Sequence, residues 1–96
     1  MLVNVIYEMD FDIIDVPDSI ANNINDIQQE FFNWLFDESN DHGYWIISNG
    51  IKCCAYGTKE FVKWINDNLA YESDEKAKII SRNLTGLNNN YPTIYF

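Results

Sequence analysis

Five carboxylates crowd the stretch Tyr7–Ser19: Glu8, Asp10, Asp12, Asp15 and Asp18, with no lysine or arginine among them. Clustered carboxylates can hold a hard cation, share protons in acid–base catalysis, or present a row of negative charge to a basic partner. The cation reading takes Asp10, Asp12 and Asp15, but their spacing lacks the glycine and distal glutamate of a calcium loop. The acid–base reading has no substrate pocket marked by neighbouring residues. The third reading is geometric. Side chains two apart on a strand share a face at roughly 6.5–7 Å. Glu8, Asp10 and Asp12 on a strand would therefore repeat negative charge at a spacing similar to that of successive phosphates.

The remaining chemistry-bearing residues point to less. His42 is the one histidine, in a polar Ser39–Gly43 loop beside Asp41. Cys53 and Cys54 are adjacent, and neighbours on a strand point to opposite faces, so an ordinary structural disulfide between them is not expected. The thiols read as small apolar fillers, and no Cys/His spacing suits zinc. Gly43, Gly50, Gly57 and Gly86 each sit at an expected turn or element end, so none is left for a phosphate loop. The expectation is no catalytic residue, no metal and no cofactor.

Charge is distributed unevenly. Residues 1–51 carry ten acids and no lysine or arginine; residues 52–96 carry five acids against six bases, for a net −9 over 96 residues. Such a field repels nucleic acid and anionic membrane and attracts basic proteins. With 47% hydrophobic and 16% aromatic residues the chain is a folded one, and its length suits a single domain, 1–96. There is no secretory leader pattern and no apolar run of membrane-spanning length. A reducing, cytoplasmic setting is expected from the unpaired cysteines.

The elements that must position these groups follow from periodicity. Val3, Val5, Tyr7, Met9, Phe11 and Ile13 alternate with Glu8, Asp10 and Asp12, which predicts one strand over 3–13 with a core face and a charged face. Ile14 breaks that phase. Pro17 and Asp18 open a helix of about five turns. Ile20, Ile24, Ile27, Phe31, Trp34 and Leu35 form its apolar stripe, beside a second stripe of Asp26, Glu30 and Asp37. Asn49-Gly50 predicts a hairpin over 44–56, pairing Ile47 with Lys52, Ile46 with Cys53 and Trp45 with Cys54. Lys52 suggests that the face bearing Trp45, Ile47, Cys54 and Tyr56 is the more exposed one. Gly57-Thr58 caps a helix that buries Phe61, Trp64, Ile65 and Leu69. Ser73–Glu75 starts another, with Ala77, Ile80 and Leu84 inward and Gly86 as its stop. Asn88–Asn90 is a polar linker, and residues 91–96 form a short edge strand, placed there by Pro92.

The expected architecture is α+β: one small domain in the order β-α-β-β-α-α-β, a mostly antiparallel sheet with the 44–56 hairpin central and packed against helices. The function that fits size and charge is a non-enzymatic inhibitor. It would occupy the basic nucleic-acid-binding cleft of a target protein, as phage-type anti-restriction and anti-CRISPR nucleic-acid mimics do; the likeness is one of size and charge only. The residues expected at the interface are Glu8, Asp10, Asp12, Asp15, Asp26, Glu30 and Asp37, with Trp45 and Tyr56 as aromatic anchors. Direct contact with nucleic acid or membrane is not expected, and self-association is open to the 91–96 edge strand. An immunity protein neutralising a basic nuclease-type toxin is the alternative, and a carboxylate-based metal module or enzyme is the third reading.

Overall fold

Residues 3–13 do not make one strand. In the computed structural model, which describes residues 1–8, 10–69, 76–84 and 90–96, the chain turns back on itself at Glu8, whose φ of 56° is left-handed. β1 (Leu2–Tyr7) and β2 (Asp10–Asp15) pair antiparallel, with Tyr7 opposite Asp10, Val5 opposite Asp12 and Val3 opposite Ile14. A tight turn here inverts the phase of the alternation. Asp10, Asp12 and Ile14 lie on the same face as Val3, Val5 and Tyr7, while Phe11 and Ile13 pass to the other face with Asn4 and Ile6. Ile14, which breaks the sequence pattern, is fully buried with Val3 and Val5.

The expected five-turn helix is likewise two. α1 (Asp18–Ala21) and α2 (Ile24–Leu35) are separated at Asn22 and Asn23. Asparagine competes with the helix by bonding nearby backbone, and the Asn23 side-chain amide donates to the Ser19 carbonyl at 2.9 Å. α2 buries Ile24, Ile27, Phe31 and Leu35, and α3 (Thr58–Asn68) buries Phe61, Val62, Trp64 and Ile65. Phe31 is the centre of the core: its ring meets Phe61 at 5.2 Å, Trp64 at 5.6 Å and Tyr56 at 6.0 Å between centroids. Burying one such ring contributes roughly 1.5–3 kcal/mol before edge-to-face terms.

The hairpin forms with the expected register. β3 (Trp45–Ser48) and β4 (Ile51–Cys54) pair Ile47 with Lys52, Ile46 with Cys53 and Trp45 with Cys54. Asn49 and Gly50 both take positive φ, 52° and 78°, as a two-residue turn of this hand requires. It stands as a sheet of its own, outside the larger one. At its base the face of Cys54 and Tyr56, expected to be the exposed one, packs against the core. At its tip Ile46, Ile47 and Ile51 are exposed on both faces.

The expected third helix is a strand where the structure describes it; residues 73–75 and 85–86, its start and its stop, lie outside the described residues. β5 (Lys78–Leu84) pairs antiparallel with β2, with register shifts between Phe11 and Ile14. Adjacent β-branched Ile79 and Ile80 suit a pleated surface, and β5 satisfies the outer edge of β2. Its entrance is pinned because the Asn66 side chain bonds both the N–H and the carbonyl of Ala77, at 2.8 and 2.9 Å. β6 (Thr93–Tyr95) is the expected edge strand, with Pro92 just before it. It runs parallel to β1, with Asn4 opposite Thr93 and Val5 opposite Ile94. Asn4, buried in this central strand, donates to the Thr93 hydroxyl at 3.2 Å. The four-stranded order is β5-β2-β1-β6, mixed, and the fold is α+β. Among the described residues no helix is long and apolar enough to cross a membrane.

Candidate acidic and aromatic interface

The turn at Glu8 breaks up the expected row of charge. Glu8 and Asp10 are exposed on either side of it, but Asp12 is 4% exposed and accepts a hydrogen bond from the Thr58 hydroxyl at 2.5 Å. Asp12 is therefore an internal group at the first turn of α3, where the positive helix end favours a carboxylate. Asp15 ends β2, five residues or about 17 Å from Asp10, and bonds the Met1 amine at 3.1 Å. Asp10, Asp12 and Asp15 do not converge. Among the described residues no three His, Cys, Asp or Glu side chains are placed to hold a metal.

On the helical side, Asp26 and Glu30 are exposed on α2, about one turn apart. Asp37 lies beyond the end of α2 and accepts bonds from the Ser39 hydroxyl and N–H, which hold its carboxyl below the usual range. The helix stripe is thus two residues long, with Asp37 engaged locally.

What the fold does assemble is a cleft of about 340 Å³ where the β1–β2 turn meets the start of α3. Tyr7, Asp10, Tyr56, Thr58, Glu60 and Arg82 line it, with Asp12 beneath. The Tyr7 and Tyr56 rings meet edge to face at 5.6 Å. Both phenols are pushed above their ordinary range, by burial first; Glu8 and Glu60 add to the effect at Tyr7, and Tyr7 and Cys54 at Tyr56. They stand as neutral hydroxyls among carboxylates. Among the described residues Glu8, Asp10 and Glu60 make no ion pair, and Arg82 makes none either. Glu60 escaped the sequence reading. Its capped helix start at Gly57-Thr58 was legible, but the acids it joins lie on strands some fifty residues away.

A second recess, of about 210 Å³, adjoins on the other side of Glu60. Trp34, His42, Tyr44 and Trp64 line it, with Lys63 and Asp67 at the rim. His42 packs against Trp34 at 4.8 Å and lies stacked with Tyr44 at 5.2 Å and with Trp45 at 5.3 Å. Its Nδ1 accepts the Tyr44 N–H at 3.1 Å and its Nε2 donates to the Leu35 carbonyl at 2.7 Å, a pattern that assigns the hydrogen to Nε2.

No protein-family model, curated protein or solved structure matches the chain.

Trp45 donates its indole N–H to the Asn40 carbonyl at 2.8 Å and carries Lys52 over its ring at 4.6 Å, so it braces the hairpin base. Tyr56 is split between the core aromatics and the cleft. The fold also brings His42 and Cys54 to one place, since both bond the Leu35 carbonyl, Cys54 Sγ at 3.5 Å. This is a cap on α2 and not an activated thiol: burial pushes the Cys54 thiol up, and both His42 nitrogens are engaged.

Proposed function

We propose that this protein is a non-enzymatic inhibitor whose acidic cleft docks on a basic, nucleic-acid-handling protein and occupies the groove that nucleic acid would enter. The observation that carries the reading is a cleft in which Asp10 and Glu60 meet around the neutral Tyr7 and Tyr56, with Glu8 acting on Tyr7 from the adjoining turn and Arg82 the one cation on the described lining; none of these charged groups is in an ion pair among the described residues. Like charges gathered in one place cost stability, and a basic partner reverses that cost on binding. Tyrosines beside them supply contact area at little entropy, as interface anchors do. A net charge of −9 steers such a partner from a distance. The reading belongs in the cytoplasm, where Cys53 and Cys54 stay reduced.

The test is competition. A DNA- or RNA-binding protein captured from host lysate is loaded with a labelled duplex, and displacement is followed by fluorescence anisotropy. Wild type displaces the duplex, and displacement weakens steeply with salt. Glu8→Gln with Asp10→Asn weakens it about tenfold or more, whereas Asp26→Asn with Glu30→Gln on α2 leaves it nearly unchanged. If the Glu8/Asp10 variant folds and competes like wild type, the cleft is not the interface. An immunity protein would meet the same test with a basic nuclease toxin as its partner.

A further inference from the structure

We infer that the recess formed by Trp34, His42, Tyr44 and Trp64 is a receptor for one arginine side chain of the partner protein. The inference rests on the basic-partner reading above and names the chemistry by which that partner is held.

Three observations lead to it. The first is composition: the aromatic rings of Trp34 on α2, Trp64 on α3 and Tyr44 in the loop before β3 line one opening with the His42 imidazole, and the faces of Trp and Tyr attract cations. The second is charge. Glu60 lines this recess and the acidic cleft alike, and its charge also acts on Tyr7 in the cleft. Asp67 stands on the same rim. The resident cation, Lys63, is held by Asp67 one turn along α3, which leaves Glu60 as the carboxylate without an ion-pair partner among the described residues. The third is size. About 210 Å³ is room for some seven waters at roughly 30 Å³ each. That is below the ~300–1,000 Å³ of small-molecule sites, but enough for the head of one side chain.

Arginine fits these features better than lysine. A planar guanidinium stacks on a ring face while its edge donates two parallel bonds to a carboxylate. Here the rings supply the walls and Glu60 the carboxylate. The guanidinium would enter beside Lys63, so the like charge of Lys63 opposes it and sets a sign for the test.

The probe is Nα-acetyl-arginine amide, titrated into 15N-labelled protein while the indole N–H signals of Trp34, Trp45 and Trp64 are followed. The expected result is saturable movement of the Trp34 and Trp64 signals, in roughly the millimolar range of a single side chain. The uncharged isostere Nα-acetyl-citrulline amide leaves them in place. Glu60→Gln weakens the arginine probe about threefold. Lys63→Gln tightens it by a similar factor, as expected for an exposed charge contribution. That gain cannot arise from a folding defect. Trp34→Phe keeps an aromatic wall and most of the affinity, whereas Trp34→Leu loses it.

The inference is overturned if the arginine probe gives no saturable shift, if citrulline shifts the same signals equally, or if Lys63→Gln weakens binding. Because no partner is present in this titration, its failure leaves the competition result of Glu8 and Asp10 standing. Conversely, arginine binding with unaltered competition by the Glu8/Asp10 variant sinks the inhibitor reading alone.

Discussion

Replacing Thr58 with valine isolates one hydrogen bond inside the fold. Thr58 is 2% exposed and Asp12 4%, and the hydroxyl donates to the carboxyl oxygen at 2.5 Å. That length is typical of an O–H···O⁻ bond, which is stronger than a neutral one. Valine keeps the shape of threonine, so no cavity is opened, and the loss is the donor alone. A buried bond to a charged group contributes about 1.5–3 kcal/mol, and its removal also strands part of the acceptor. Thr58→Val should therefore destabilise by ~2 kcal/mol, lowering Tm by roughly 8–16 °C for a domain of this size. Urea unfolding followed by tryptophan fluorescence gives the value, with an unchanged m confirming that only stability has moved. Thr58→Ser, which keeps the hydroxyl, should lose about half as much. In an Asp12→Asn background the same Thr58→Val change should cost less, because a neutral amide is cheaper to leave without its donor. A loss below about 0.5 kcal/mol for Thr58→Val would refute the reasoning and return Asp12 to the solvent side.

Phe31→Ala should cost about 3–5 kcal/mol, since a fully buried ring at the centre of the aromatic cluster leaves a cavity its neighbours cannot close; chemical denaturation measures it. Gly50→Ala should cost ~1 kcal/mol through backbone alone, because φ is 78° and the space around the missing Cβ is open. Gly57→Ala, where φ is extended, carries no such backbone strain in the same unfolding assay, and its cost is that of alanine at the N-cap of α3. Tyr7 and Tyr56 have folded-state pKa values above the unfolded value near 10. Their contribution is therefore fully present below pH ~10 and is lost as pH rises through the folded values. Phenolate absorbance should show two late-titrating tyrosines, and Tyr7→Phe with Tyr56→Phe should remove them and flatten the alkaline loss of stability.

How much of this was legible depends on where each signal is written. The β3–β4 register was readable because Asn49-Gly50 is a local instruction: both residues must take positive φ, and few others do so cheaply. The β1–β2 turn carries no such mark. Glu8 adopts positive φ without being glycine or asparagine, and the alternation runs on through it because both faces of the sheet take apolar residues, Val3 and Val5 on one and Ile6 and Phe11 on the other. Ile14 was the clue: a break in phase at the end of a strand is also what a hairpin produces. β5 was misread as helix because Ala77, Ile80 and Leu84 fit a helical spacing, and only the vacant edge of β2 decides between the two. The carboxylates divide in the same way. Asp10 was found and Glu60 was missed, because their meeting is made by the fold and by nothing adjacent in the chain.

The parallel pairing of β1 with β6 sets an order of events for folding. Asn4 and Thr93 are neighbours across the sheet yet lie 89 residues apart along the chain. The β1–β2 hairpin closes through a tight turn and can form early, but one edge of β1 then stays bare until the far end of the chain comes back to it. Closing so long a loop is slow, and chains dominated by such distant contacts fold in milliseconds to seconds. On a ribosome the wait is longer, since at about 5–20 residues per second the returning strand is not synthesised for several seconds. For that interval Val3, Val5 and the unpaired backbone beside them form a sticky template for strands of other chains. Net charge of one sign opposes association, and Glu8, Asp10 and Asp15 beside this strand would oppose edge-to-edge pairing between nascent copies during that wait.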